Sequence, residues 1–206
     1  MKMFSYVIPR DYGFAPNPYY GYCTLATCKP RIRKSAEIGD WICAFGSSKS
    51  STKRRLVFVM KVGEIHTFDE YWQDKRFLRK RPVFNRAMYC AYGDNIYHHE
   101  DGEWIQETSH HSNLDGTINY NNLEHDTQTD RVLVSTEFLY FGNNAIEIPN
   151  EFEGLIAIGR NHRIERDENL IRSFIMWLKE NYSYGIHGTP YSKKSGVFAQ
   201  YRGEKK

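Results

Sequence analysis

Apolar and polar positions alternate over Met3–Ile8 and the pattern stops at Pro9, which predicts a first strand. The turn Ile38-Gly39-Asp40 leads into an apolar run at residues 41–45, and residues 56–62 form a second run of strand length. The polar, Ser-rich stretch between them makes the pair a hairpin or meander. Residues 131–135 and 138–141 predict two more strands, with residues 146–149 at a sheet edge. Thr67 and Glu70 have capping-box spacing ahead of Phe68, Tyr71 and Trp72, so a short helix is expected over residues 67–73. A longer helix is expected over Glu168–Asn181, where Asp167 is the N-cap and Ile171, Phe174, Ile175 and Leu178 recur at i, i+3, i+4 and i+7. Residues 10–30 hold two Gly, three Pro and four Tyr and read as a structured loop. Residues 92–130 are polar and read as loops carrying short strands near residues 96–98 and 104–106.

Length then limits the picture. A chain of 206 residues supports one full core, so a single domain is expected over residues 1–184 with a polar tail at 185–206. Hydrophobic residues at 40% and aromatic residues at 15% favour a folded chain over a disordered one. The N-terminal segment lacks the apolar core of a secretion signal, and no apolar stretch reaches the ~20 residues that span a bilayer. Cys23, Cys28, Cys43 and Cys90 have neither zinc nor redox spacing. They read as reduced, packed thiols in a cytoplasmic protein that has no membrane partner.

The net charge of +3 conceals a division along the chain. Residues 1–91 carry 17 Lys/Arg against 7 Asp/Glu, residues 92–160 carry 2 against 13, and residues 161–206 carry 9 against 5. Arg31, Arg33, Lys53, Arg54, Arg55, Arg79, Lys80 and Arg81 supply clusters suited to phosphate contact. Tyr12, Phe14, Tyr19, Tyr20 and Trp41, interleaved with those clusters, are candidates to stack on a base. Asn95 and Tyr97 are candidates for the same pocket, although Asp94-Asn95 after Gly93 also makes a ready turn. His98, His110 and His111, with Asp94, are the candidate acid and base groups. No metal is expected, because no HExxH or Cys/His zinc spacing occurs, and no cofactor is expected without a P-loop or GxGxxG motif.

The stretch IRKSAEIGDWICAFGS followed by LVFVMKVGEI resembles PUA-like domains of the EVE, YTH and ASCH type. That resemblance implies an α+β fold: a mixed β-barrel with flanking helices, here completed by the C-terminal amphipathic helix. More of the chain resembles the nucleotide modification-associated domain 2 family, labelled DNA base hypermodification proteins. The words RDYGFAPNPYYGYCTLATCKPRIR, GDWI, FDEYWQDKRFLRKRP, GDNIYHH, SHHS, DRVLVS and GRNH carry it. It implies a place in a system that makes or handles modified nucleotides. The expected function is recognition of a modified base or nucleotide in DNA or another nucleic acid. The alternative is an enzyme working through the His/Asp site on the same scaffold. A third reading uses the acidic segment at 92–160 to bind partner proteins of a modification system.

Overall fold

The computed structural model describes residues 1–159, 161–192 and 198–201. In chain order the strands are β1 Met3–Ile8, β2 Cys23–Leu25, β3 Trp41–Gly46, β4 Leu56–Lys61, β5 Glu64–His66, β6 Tyr97–Glu100, β7 Glu103–Gln106, β8 Val132–Ser135, β9 Phe138–Tyr140, β10 Arg163–Glu165 and β11 Gly185–Ile186. The helices are α1 Pro30–Ser35, α2 Phe68–Gln73, α3 Met88–Ala91, α4 Tyr120–Asp126 and α5 Glu168–Asn181. The chain divides into two compact units, each assembled from separated segments. The single core expected from length is accordingly two buried clusters. Among the described residues no helix is long and apolar enough to cross a membrane.

The first unit comprises Met1–Asp11, Ala36–Glu64 and Ser135–Ser192. Its sheet has the order β10-β1-β3-β4-β9-β11, with β1 parallel to β3 and β3 antiparallel to β4. Strand β3 is buried at every position, as its unbroken apolar run requires. Helix α5 begins where Asp167 accepts hydrogen bonds from the amides of Asn169 and Leu170, and it buries Ile171, Phe174, Ile175 and Leu178. These join Met3, Trp41, Cys43, Val59 and Leu139 in one cluster. Each such side chain contributes roughly 1.5–3 kcal/mol by leaving water.

The fold is mixed α+β, and among the described residues no closed barrel is found: the six-stranded sheet runs from β10 to β11 as its two ends. Those edge strands have three and two residues, and α5 lies between them in the chain. Edges that short offer few groups with which to close a barrel.

The second unit comprises Tyr12–Ser35, Ile65–Val134 and the C-terminal segment, of which residues 198–201 are described. It holds a three-stranded sheet β2-β8-β5 and the hairpin β6-β7. Its core includes Phe14, Phe68, Tyr71, Phe77, Tyr92, Tyr97 and Val132. Thr67 and Glu70 form the expected capping box of α2. Helices α1 and α4 arise in stretches that periodicity left as loop, because both are short and largely polar. The expected polar tail from residue 185 instead supplies β11 in the first unit and residues 198–201 in the second, while residues 193–197 and 202–206 lie outside the described residues.

Candidate functional site

The sequence Thr27-Cys28-Lys29-Pro30 joins β2 to α1 by a sharp turn within the second unit. Cys28 has φ +56° and Lys29 φ +42°, two consecutive non-glycine residues in left-handed backbone. Such residues each cost on the order of 1–3 kcal/mol and persist only where their surroundings fix them. Here the Cys28 amide donates to Asp126 Oδ1 at 2.7 Å, and the Cys28 carbonyl accepts from Arg33 Nε at 2.9 Å. Pro30, whose φ is preset for helix, then starts α1. The Cys28 side chain is left half-buried where strand gives way to helix.

Two further segments complete the arrangement. Ser109 and Ser112 close a turn, the Ser109 amide donating to Ser112 Oγ at 3.0 Å, and this turn carries His110 and His111. The His111 carbonyl accepts from Gln106 Nε2 and Asn122 Nδ2, which fixes the backbone beneath the ring. Asp126 ends α4, whose first turn is capped by Asn119 Oδ1 accepting from the Asn122 amide. His111 Nδ1 donates to Asp126 Oδ2 at 2.7 Å, while His111 Nε2 lies 3.8 Å from Cys28 Sγ. Tyr97 OH donates to Asp126 Oδ2 at 3.0 Å. The order sulfur, imidazole, carboxylate is that of a cysteine nucleophile, its base and the group that orients the base.

Charge reinforces the geometry. Burial alone would lower the His111 imidazole, but the Asp126 carboxylate and then Cys28 more than offset it, and His111 is raised to about 10. Burial alone would raise Asp126, yet His111 and Arg33 hold it below the usual carboxylate range. At neutral pH the site therefore places an imidazolium between a carboxylate and a sulfur. Lys29, next to the thiol, is lowered by burial, and Cys28 opposes that shift.

Aromatic rings wall the histidine pair. Tyr12 lies 4.8 Å from the His110 ring, and Phe14 lies 4.7 Å from that of His111. Tyr201 adds a third wall at 5.5 Å from His111. Residues 198–201 are tied across the turn: His110 Nδ1 donates to the Ala199 carbonyl, Gln200 Nε2 donates to Ser112 Oγ at 3.1 Å, and Asn122 Nδ2 donates to the Tyr201 carbonyl at 2.6 Å. His110 is thereby a post for this strap, and His111 is the member of the pair that faces sulfur.

The other expected site residues lie elsewhere. Asp94 does not meet the histidine pair. It accepts from Thr24 Oγ1 at 2.6 Å and Tyr71 OH at 2.8 Å in a fully buried network with Lys80. Burial raises Asp94, with Lys80 offsetting part of the shift. Asn95 is spent on the Tyr71 and Phe77 carbonyls. His98 stacks on Trp72 at 4.0 Å and contacts Glu107 at 2.9 Å. Trp41 belongs to the first unit's core. Tyr97 supports Asp126 from a buried position, so it is not placed to line a base pocket.

Two expected phosphate ligands are corrected by burial. Arg33 donates to the carbonyls of Cys28, Asp126, Thr129 and Arg131, and Lys80 to Asn17, Tyr22 and Thr24, so neither is open to a phosphate. Arg81 lies over the Trp72 ring at 3.4 Å and donates to the Trp72 carbonyl. Arg54 and Arg55 face Glu153 and Glu147, which neutralises part of that basic cluster. Arg31, Lys53 and Arg79 are exposed. Tyr19 and Tyr20 gather with Tyr89 away from the histidine rings, and Arg79 stacks on Tyr20.

Cys28 and Asp126 are the members that sequence reasoning missed. The one local signal was Cys-Lys-Pro, a turn signal ahead of a helix; the partners lie 83 and 98 residues away. The sulfur, Nε2 or Nδ1 and carboxylate oxygen lie within 4.8 Å of one another, the reach of one metal ion. His111 Nδ1 is engaged by Asp126, so a metal there would take the sulfur, His111 Nε2 and an Asp126 carboxylate oxygen, three protein ligands.

A family model described as nucleotide modification associated domain 2 matches residues 1–196. No curated protein and no solved structure matches the chain.

Proposed function

The chain belongs to the nucleotide modification associated domain 2 family, which ties it to nucleotide-modification systems, and on that premise we propose that it is a cysteine-dependent enzyme of such a system. The observation that carries this reading is the alignment of Cys28 Sγ, His111 and Asp126 at 3.8 and 2.7 Å. Thiol, imidazole and carboxylate in that order serve acyl transfer. Cys28 Sγ, in its thiolate form beside the His111 imidazolium, attacks the carbonyl carbon of an acyl or amide group carried on a base. The S–C bond forms, the C–N bond breaks, and the His111 imidazolium gives its proton to the leaving nitrogen. Water then attacks the thioester, one of its protons passes to His111, and the carboxylic acid and the Cys28 thiolate are released, which restores the starting pair. Asp126 holds the ring so that Nε2 faces sulfur throughout. Tyr12, half-buried against the His110 ring, offers aromatic surface for the base next to the histidine pair, so the recognition expected from the aromatic loop becomes part of the same site.

The test uses N4-acetylcytosine and N6-acetyladenine, each as nucleoside, nucleotide and oligodeoxynucleotide. Turnover is expected with at least one of these, with a hydroxylamine-sensitive acyl adduct on Cys28 by intact mass, and C28S should lower turnover by about 10³-fold or more. Turnover that survives C28S contradicts the proposal.

A further inference from the structure

A cavity of the second unit, about 300 Å³ in volume, shares no residue with the thiol site. Arg79 and Arg86 bring two positive charges to its lining, which among the described residues contains no carboxylate. Tyr20 and Tyr89 supply aromatic surface, with ring centroids 6.1 Å apart, and Tyr19 lies 5.0 Å from Tyr89. The Arg79 guanidinium sits 4.4 Å from the Tyr20 centroid, and Tyr20 OH donates to Cys90 Sγ at 3.3 Å, so Tyr20 is held from both sides. It is held, moreover, at φ +63°, an uncommon conformation for a tyrosine that turns this ring toward the cluster. Tyr89 is 38% exposed, which leaves aromatic surface open beside the two guanidinium groups. Paired cations without an acid select an anion, and guanidinium suits phosphate. Open tyrosine surface selects a planar partner.

We propose that this cavity binds a nucleoside phosphate, with Arg79 and Arg86 on the phosphate and the base against Tyr89. The phosphate belongs either to a free nucleotide or to one unit of a single strand. The inference does not depend on the thiol chemistry, since the binding needs neither Cys28 nor His111.

The probes are dAMP, deoxyadenosine, inorganic phosphate and a decadeoxyadenylate, titrated calorimetrically at two salt concentrations. Wild type is expected to bind dAMP about ten-fold more tightly than deoxyadenosine or phosphate alone. R86E should weaken dAMP about ten-fold and Y89A about five-fold, while R86E leaves the alkylation rate of Cys28 unchanged. Tighter binding of the decamer than of dAMP, with a salt slope reduced in R86E, identifies a strand as the source; equal binding identifies the free nucleotide. The proposal is overturned if wild type binds none of the probes, or if either variant binds dAMP as wild type does. Because R86E and Y89A alter exposed side chains, circular dichroism is expected to show both folded.

Discussion

Asp126 serves three donors at once: the Cys28 amide on one oxygen, and His111 Nδ1 and Tyr97 OH on the other. A fully buried carboxylate so satisfied stays ionised and fixes both the turn that carries the thiol and the ring that faces it. Titration follows from this. The His111 imidazole is raised from the usual 6.5 to about 10 on folding, as the Asp126 carboxylate outweighs its burial. A group raised in the folded chain contributes stability that is fully present below its unfolded value and is lost as pH rises through its folded one. Lys80, lowered by burial to about 8, acts in the opposite sense: its buried charge costs stability below pH 8, and that cost is relieved between about 8 and 10.5. Comparing wild type with H111Q cancels the lysine. The difference in urea-unfolding free energy between them should be largest near pH 6 and should narrow by at least ~1 kcal/mol at pH 10. A difference independent of pH contradicts the charged pairing.

At the scale of elements, short pieces of backbone aim the chemistry. Helix α1 has six residues and α4 seven, too few to be stable alone, so each depends on side-chain ties at its ends. Arg33 provides one, tying α1 to the end of α4 through the Cys28 and Asp126 carbonyls. Gly93 provides another kind of tie, by permitting close approach. A Cβ there would lie 2.2 Å from the Lys80 carbonyl, inside the network that holds Asp94 and Asn95. G93A should cost about 2 kcal/mol in thermal or denaturant unfolding, since backbone must move to admit one methyl group. A variant as stable as wild type rules out that close approach. These elements were hard to read in the sequence. Helix α5 was legible because four apolar residues repeat at helical spacing behind an Asp cap, and α2 because its capping box is local. Helix α4 and strand β2 were not, since α4 is mostly polar and β2 has three residues. A short element fixed by distant partners leaves no periodicity to detect.

At the scale of the whole molecule, some acidic residues of the 92–160 segment pair with basic groups within each unit. Acidic residues 147 and 153 return to Arg55 and Arg54 in the first unit, and Asp126 is consumed by His111 in the second. The expectation that basic residues near the aromatic loop would all meet phosphate failed at Arg33 and Lys80 for the same reason: both donate to backbone carbonyls in the interior. The sequence named Tyr12 and Phe14 for a base pocket and His110 and His111 for acid and base work as separate groups, and the fold sets Tyr12 against His110 and Phe14 against His111. The sequence could not convey that the nucleophile is a cysteine 83 residues from its base, because spacing carries no information about a site assembled by folding.

The thiol at the centre of this account is tested most directly by alkylation. Cys23 and Cys43 are buried, whereas Cys28 and Cys90 are half-buried, so Cys90 is an internal control. Peptide mass spectrometry after limited iodoacetamide treatment at pH 6 should show Cys28 modified about ten-fold faster than Cys90, with H111Q reducing the ratio to about two or less. Equal rates at the two cysteines, or a Cys28 rate unaffected by H111Q, would contradict a thiol activated by His111 and Asp126.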